Sequence, residues 1–362
     1  MNTLEILSVK KLKNFYNVKI KNNPFYPDGK GGQLGDRGFI NNIKVLKSYE
    51  DGVDITDELS PGIHSYLIDK NNRFDIAQQH TSQHLLSAIL KDKFDIDTLS
   101  FHMSEEYSSI DIDLNNLNEE IITEIEQIFS NYVLESLNVE EILTDKNNIS
   151  KFNLRKKISD KIEDDIRLIK IGNIDISACG GFHVKNTSEL KLLKIINIEK
   201  VKGNLLRIYY LSGDRALKYF SFLHKTLKSI SNDLSTSIYD SKSKIYNLLN
   251  ENKELIKDLK NLKQLYSKVI GENLNNIDDD IIFFEDENNH AEFAFNYIDL
   301  TEKVFIYKYN DQISIFSENI NINDLINKLK TDYNIKGGGS KNRGNIKGDI
   351  SINSIIKVIK NN

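Results

Sequence analysis

A single cysteine, Cys179, stands in a chain of 362 residues, which excludes any intramolecular disulfide and makes a reducing cytoplasm the expected setting. No stretch approaches the roughly 18 consecutive apolar residues of a membrane span. The opening MNTLEILSVKKLKNF lacks the apolar core of a signal peptide. Positive charge is not in excess either. Lys and Arg number 48 against 53 Asp and Glu, a net of −5, so a nucleic-acid partner would need a local basic surface. Proline occurs only at Pro24, Pro27 and Pro61. The length predicts two or three domains, each able to bury its own core.

Against these absences two short motifs stand out. HTSQH, His80 to His84, places two imidazoles one turn apart on one face if residues 77 to 91 are helical. CGGFH, Cys179 to His183, supplies a thiolate and a third imidazole. Together they offer four ligands of the kinds zinc prefers. Taken singly, either motif reads as well as a solvated helix face or a buried small thiol. A zinc protease is disfavoured because Thr81 follows His80 where that motif needs its glutamate base.

Along the chain, residues 1–74 alternate apolar and polar residues in short runs and predict a small β-barrel-like domain. Within it, FYPDGKGGQLGDRGFI packs Gly29, Gly31, Gly32, Gly35 and Gly38 into ten residues, a density that suits tight turns or close approach to a ligand. Residues 75–212 read as an α+β domain: the His80 helix, strands LSFHM and SSIDIDL, a helix over 118–137, and the run DIRLIKIGNIDISAC, which delivers Cys179 at a strand end. Hairpin candidates LKIINIEKV and LLRIYYL follow. Ser212-Gly213-Asp214 then opens a helix.

Residues 213–270 carry apolar residues at spacings of three and four, Leu227, Ile230, Leu234, Ile238, Ile245, Leu248, Leu255, Leu259, Leu262, Tyr266 and Val269. This predicts a coiled-coil-like spacer with a bend near residues 231–237, a homodimer contact along it, and a stop at Gly271. The final segment, 271–362, reads as an α/β domain whose charge reverses. Residues 272–302 hold ten carboxylates and no Lys or Arg, while 325–362 hold eight basic residues against two acidic. A second glycine cluster, KGGGSKNRGNIKGD, lies in the basic part. Lys336, Gly337, Gly338, Gly339, Lys341, Arg343 and Lys347 make a surface suited to an RNA backbone, or an ordinary glycine loop.

The order of these motifs resembles the AlaX-type alanyl-tRNA editing proteins, relatives of the editing domain of alanyl-tRNA synthetase. The likeness rests on FYPDGKGGQLGDRG, HTSQHLLSAIL, SFHMSEEYSSIDID, DIRLIKIGNIDISACGGFHVKNTSEL and the closing GGGSKNRGNIKGD, which is similar to the glycine motif of a DHH-associated domain. The HxxxH and CxxxH pair alone would also fit the editing domain of threonyl-tRNA synthetase. The resemblance implies Zn2+ ligands, and hence the catalytic centre, at His80, His84, Cys179 and His183. It implies a substrate-specificity motif at Gly31, Gly32, Gln33, Gly35 and Asp36, and tRNA binding by the last domain. Two departures are Phe182, where the family usually has threonine, and Lys347-Gly348-Asp349, where a second glycine triplet is common.

The implied activity is zinc-dependent, ATP-independent hydrolysis of tRNA(Ala) mischarged with serine or glycine, acting in trans since no aminoacylation domain is expected in a chain of this length. Two other readings stay open: a non-catalytic RNA-binding module with structural zinc, and editing of another mischarged tRNA such as Ser-tRNA(Thr). A DHH-type phosphoesterase is disfavoured because the chain has no Asp-His-His triplet.

Overall fold

Alternation with period two over the first seventy residues makes strands with one buried face. In the computed structural model, which describes residues 2–156, 166–203 and 205–361, these are β1 (Asn2–Lys11), β2 (Tyr16–Lys21), β3 (Gly38–Ile40), β4 (Ile43–Tyr49), β5 (Gly52–Ile55) and β6 (Gly62–Ile68). They close into a barrel in the order β1-β2-β5-β4-β3-β6, so each of these strands has a neighbour on both sides. Leu4, Ile6, Val18, Ile20, Val45, Val53 and Ile55 fill its interior. The proline and glycine motif forms the β2–β3 connection.

Helix α1 (Lys70–Phe94) starts earlier than the spacing of its histidines indicates, because Asp69 caps it by accepting from the Asn71 and Asn72 amides. Every residue from Ile76 to Leu90 is buried, polar and apolar alike. A helix buried all round must find partners for its polar side chains. Gln79 exchanges two hydrogen bonds with the Ser212 backbone, at 2.8 and 3.1 Å, and Gln78 donates to the Glu189 carbonyl at 2.7 Å.

Around α1 lie β7 (Thr98–Met103), β8 (Ser108–Ile112), α2 (Glu119–Leu134), β9 (Val139–Thr144), β10 (Ile166–Ile171), β11 (Asp175–Ala178), β12 (Leu193–Lys200) and β13 (Leu206–Ser212). They form a four-stranded sheet, β12-β13-β8-β7, and a three-stranded one, β11-β10-β9. Asp165, with which the run DIRLIKIGNIDISAC begins, lies outside the described residues. The core of this part joins Leu85, Leu86 and Ile89 of α1 to Ile125 and Phe129 of α2 and to Ile110, Ile208 and Tyr210 of the sheet.

The chain divides into two units, Met1–Leu227 and Lys228–Asn362, the boundary falling within α3 (Gly213–Asp233). In the second, α4 (Ser241–Asn275) spans 35 residues, about 52 Å. Gly271 does not stop it. A Cβ there would lie 2.6 Å from the Ala294 carbonyl oxygen, so the glycine lets the helix press against the 294–297 turn while the helix runs on.

Five strands follow, β14 (Ile281–Glu285), β15 (Val304–Tyr309), β16 (Gln312–Phe316), β17 (Ile335–Gly339) and β18 (Arg343–Gly348), in the order β14-β15-β16-β18-β17. Helices α5 (Ile322–Asp332) and α6 (Ile352–Lys360) share a core with this sheet, and α4 shares a separate one, through Ile270 and Leu274. The protein is thus a mixed α/β chain of more than one unit. No described helix is long and apolar enough to cross a membrane.

Candidate metal centre and its cleft

Four ligand-type atoms, one each from His80, His84, Cys179 and His183, lie within 4.8 Å of one another. His80 and His84 come from the buried run of α1. Cys179 directly follows β11, and its amide donates to the Arg167 carbonyl at 3.0 Å, prolonging the β10–β11 hairpin by one pair. Arg167 then donates to the carbonyls of Cys179 and Gly181, at 2.9 and 2.8 Å, fixing the turn. A Cβ on Gly181 would sit 2.2 Å from His80 Cε1 and 2.4 Å from Gln33 Oε1, so the two motifs meet only because that residue is glycine.

Each imidazole is turned by a partner at Nδ1. His80 Nδ1 lies 2.7 Å from Gln33 Oε1, His84 Nδ1 is 3.0 Å from Asp175 Oδ2, and His183 Nδ1 is 3.0 Å from Thr81 Oγ1. Asp175 is held in turn by Arg155 Nε at 2.6 Å and by the Ser177 hydroxyl at 3.0 Å. These partners are the outer shell that orients metal-binding histidines. The Nε2 atoms of His80 and His183 face Cys179 Sγ at 3.4 and 3.3 Å. Zinc bond lengths in a tetrahedral site give a sulfur–nitrogen edge of roughly 3.5 Å.

Electrostatics agrees with a cation between these atoms. Burial lowers His80, and it carries His183 down to about 3, so both are neutral imidazoles. Burial pushes the Cys179 thiol up, yet contacts with His183, His80 and His84 outweigh it and bring it to about 2, a thiolate. Burial also lowers His84, but its hydrogen bonds to Asp175 and Cys179 outweigh that and hold it up. With Nδ1 turned to Gln33, His80 aims its Nε2 at the Cys179 sulfur, so the two atoms are placed to share one divalent cation. The donor set therefore fits a metal, and its sulfur and nitrogen content fits zinc.

A cleft of about 440 Å3 opens beside the cluster, lined among others by Gly31, Gly32, Phe101, Ser100, Arg155 and Lys156. The glycine motif thus lies against the centre. Gly31 and Gly32 take φ of 66° and 75°, a conformation open to glycine at little cost. The remaining motif residues do other work. Gln33 is 2% exposed, and its Oε1 accepts from the Phe182 amide at 2.9 Å besides meeting His80, so it orients a ligand. Asp36 is fully buried and binds the Tyr26 amide and the Arg73 guanidinium of α1, at 2.9 Å each. A Cβ on Gly35 would lie 2.5 Å from the Tyr26 carbonyl oxygen, which makes it a turn residue. Phe182 packs on Tyr26, ring centres 4.8 Å apart, beneath the Arg73 guanidinium at 4.5 Å.

Sequence reasoning missed Thr81, Asp175, Arg155 and Arg167. Asp175 left one trace, an acid in the otherwise apolar alternation of NIDISA. The predicted RNA-contacting residues lie elsewhere, on the β17–β18 hairpin of the second unit. Lys336, Lys341, Arg343 and Lys347 are exposed there, and none has an ion pair among the described residues.

Comparison with known proteins agrees with the motif order. The second additional domain of threonyl and alanyl tRNA synthetases matches residues 166–209, which include Cys179 and His183. Alanyl-tRNA editing protein Aarsd1-A of Xenopus laevis is 33% identical over 222 residues, 60% of this chain and 54% of the frog protein. Alanyl-tRNA editing protein AlaX-L of Pyrococcus horikoshii is 31% identical over 229 residues, 59% of this chain and 55% of its own length. An alanine–tRNA ligase of Acetivibrio thermocellus is 31% identical over 72% of this chain, which spans 31% of the ligase. The chain thus spans a little over half the length of the two editing proteins. By motif order and by these matches, the chain is a relative of the AlaX-type alanyl-tRNA editing proteins.

Proposed function

We propose that this chain is a trans-acting aminoacyl-tRNA deacylase that hydrolyses the ester of serine, and also of glycine, on tRNA(Ala). The observation that carries this reading is the convergence of three oriented imidazoles and a thiolate at the floor of a cleft walled by Gly31 and Gly32, in a relative of alanyl-tRNA editing proteins. The physical need is plain. A pocket made for alanine rejects an added hydroxyl by only about a hundredfold, so a second site that senses the hydroxyl restores fidelity.

In this reading His80, His84, Cys179 and His183 would hold zinc, which when bound would supply positive charge for ester hydrolysis. Gln33, Thr81 and Asp175 keep the imidazoles aimed. Gly31 and Gly32 leave room for the aminoacyl group to approach, and Lys156 borders the cleft with positive charge suited to the phosphate of the tRNA 3′ end. We assign the last domain, of DHH-associated type, to tRNA binding through Lys336, Gly337, Gly338, Gly339, Lys341, Arg343 and Lys347. We place the activity in the cytoplasm, where a free Cys179 stays reduced.

We also assign a homodimer contact to α4. Leu255, Leu259 and Leu262 are 67%, 52% and 63% exposed, along a seam that continues through Ile245, Leu248, Tyr266 and Val269. Counted in heptads from Ile245, Asn252 falls in the same seam, the kind of polar position that fixes register between two strands of a coiled coil. Sedimentation of the full chain should give a dimer that Leu255→Lys dissociates; a monomer at every concentration would remove the contact.

The direct test is deacylation of seryl-, glycyl- and alanyl-tRNA(Ala) beside seryl-tRNA(Thr). Cleavage of the seryl and glycyl esters with alanyl-tRNA(Ala) spared supports the reading, and equal loss of all four refutes it. Four protein ligands favour one rival, a structural zinc in a non-catalytic RNA-binding module. Chelation separates the two: a structural ion leaves with cooperative unfolding, a catalytic one with activity while the fold persists.

A further inference from the structure

The second unit contains a cleft of about 680 Å3, inside the roughly 300–1,000 Å3 range of small-ligand sites. Phe295 and Phe316 border it as a parallel pair, centres 4.3 Å apart and planes 3° apart, with Ile298 and Leu300 extending the apolar side. Next to this side lies the turn between β17 and β18, residues Ser340 to Arg343, where Arg343 is the cross-strand partner of Phe316. That turn is held by its backbone: the Lys341 carbonyl accepts from the Ile322 amide at 2.8 Å, and the Asn342 carbonyl from the Ser317 amide at 3.0 Å. The Lys341 and Arg343 side chains are exposed, and neither has an ion pair among the described residues. Glu318 lines the cleft as well, exposed and without a bonded side-chain partner among the described residues.

We propose that this cleft receives one unpaired nucleotide of RNA, its base against the Phe295–Phe316 side and its phosphate at Lys341 and Arg343. The inference rests on the reading of the second unit as the RNA-binding part and gives it a subsite. An apolar aromatic side next to two unneutralised cations matches the two halves of a nucleotide. A base stacks on an aromatic wall whatever its identity. The free carboxylate of Glu318 adds an acceptor for an exocyclic amine, which adenine, cytosine and guanine have and uracil lacks. The backbone anchoring of the turn fixes the positions from which the two cationic side chains reach out.

The probe is a short single-stranded oligoribonucleotide carrying one 2-aminopurine, titrated with the full-length chain. Stacking should quench its fluorescence. Asn296→Trp, which fills the cleft from an exposed position without removing a core aromatic, should abolish the quench. Phe316→Leu should weaken binding about tenfold with the salt slope unchanged. Lys341→Ala with Arg343→Ala should lower affinity and make the salt slope shallower by about 0.7 for each phosphate no longer neutralised. Salt-dependent binding without any quench, or a quench that survives Asn296→Trp, overturns the proposal. Hydrolysis of a small seryl ester, measured on Asn296→Trp, should not change. Absence of hydrolysis in the wild type would sink the editing reading and leave the cleft to be judged by the quench.

Discussion

The two glycine clusters use the same residue for opposite ends. In the first unit, Gly31 and Gly32 turn the backbone through positive φ, and Gly181 beyond them admits the His80 ring where any Cβ would collide. Close approach there serves buried side chains whose polar atoms are hydrogen-bonded to one another. In the second unit, Gly337 and Gly339 lie in β17, paired with β18, and the outer side of β17 has no neighbouring strand among the described residues. A Cβ on Gly338 would meet nothing described within 4 Å. Glycine at 338 thins an exposed edge, whereas a Cβ on Gly337 or Gly339 would lie 2.3 or 2.4 Å from the Asn345 or Arg343 carbonyl oxygen, so those two serve close pairing with β18. Clustered glycine is therefore not one signal: the surroundings decide whether it makes room inward or outward.

The strongest way to break this contrast is at the buried end. Cys179→Ala should lose the metal and bring hydrolysis to the uncatalysed level, checked by metal analysis and a deacylation assay. Full occupancy in that variant would remove Cys179 from the centre. Gly181→Ala should lower metal affinity by at least about tenfold because His80 must move, whereas Gly338→Ala should alter neither metal content nor fold. Equal effects of the two alanines would erase the distinction between the clusters.

Next in size is the outer shell. Asp175→Asn keeps the shape but weakens the hold on His84, and should cost roughly 10- to 100-fold in metal affinity, read by competition with a chelator. At the exposed end, replacing Lys341, Arg343 and Lys347 by alanine should make the salt slope of tRNA binding shallower by about 0.7 to 0.9 for each phosphate left without its cation, with zinc content untouched.

The smallest effect concerns the second unit's own stability. Burial pushes the Asp286 carboxyl up, but the Ala291 and Asn288 amides and the Tyr307 hydroxyl outweigh it and hold it below the usual range. A depressed carboxylate stabilises the fold fully above its unfolded value, near 4, and ceases to as pH falls through the folded value. Urea midpoints measured down through pH 4 should fall less steeply in Asp286→Asn than in the wild type.

Much of this is legible in the sequence where the signal is local. Period-two alternation announces the barrel strands, the i, i+4 histidines announce their shared helix face, and the strand run ending at Cys179 announces its place. What is not legible depends on contacts between distant segments. Gln33 orients His80 across 47 residues, and Asp175 orients His84 across 91. Neither role leaves a spacing pattern. Asp36 reads as a substrate-sensing residue by its motif, yet its charge is consumed by Arg73. The start of α1 escapes the pattern because the segment before Ile76 carries no apolar period, only the cap at Asp69. Gly271 resembles a helix stop because, in sequence alone, a glycine that ends a helix and one that permits close packing look alike.

The four candidate ligand atoms come from two stretches far apart along the chain, Cys179 lying 99 residues beyond His80. During synthesis at about 5–20 residues per second, that separation is roughly 5 to 20 seconds. Through that interval the chain offers an ion only the imidazole pair of α1, too few donors to hold it firmly. Secure loading must wait for the β10–β11 hairpin. The order of translation therefore completes this donor set late, yet ahead of β12 and β13, whose residues finish the core around α1.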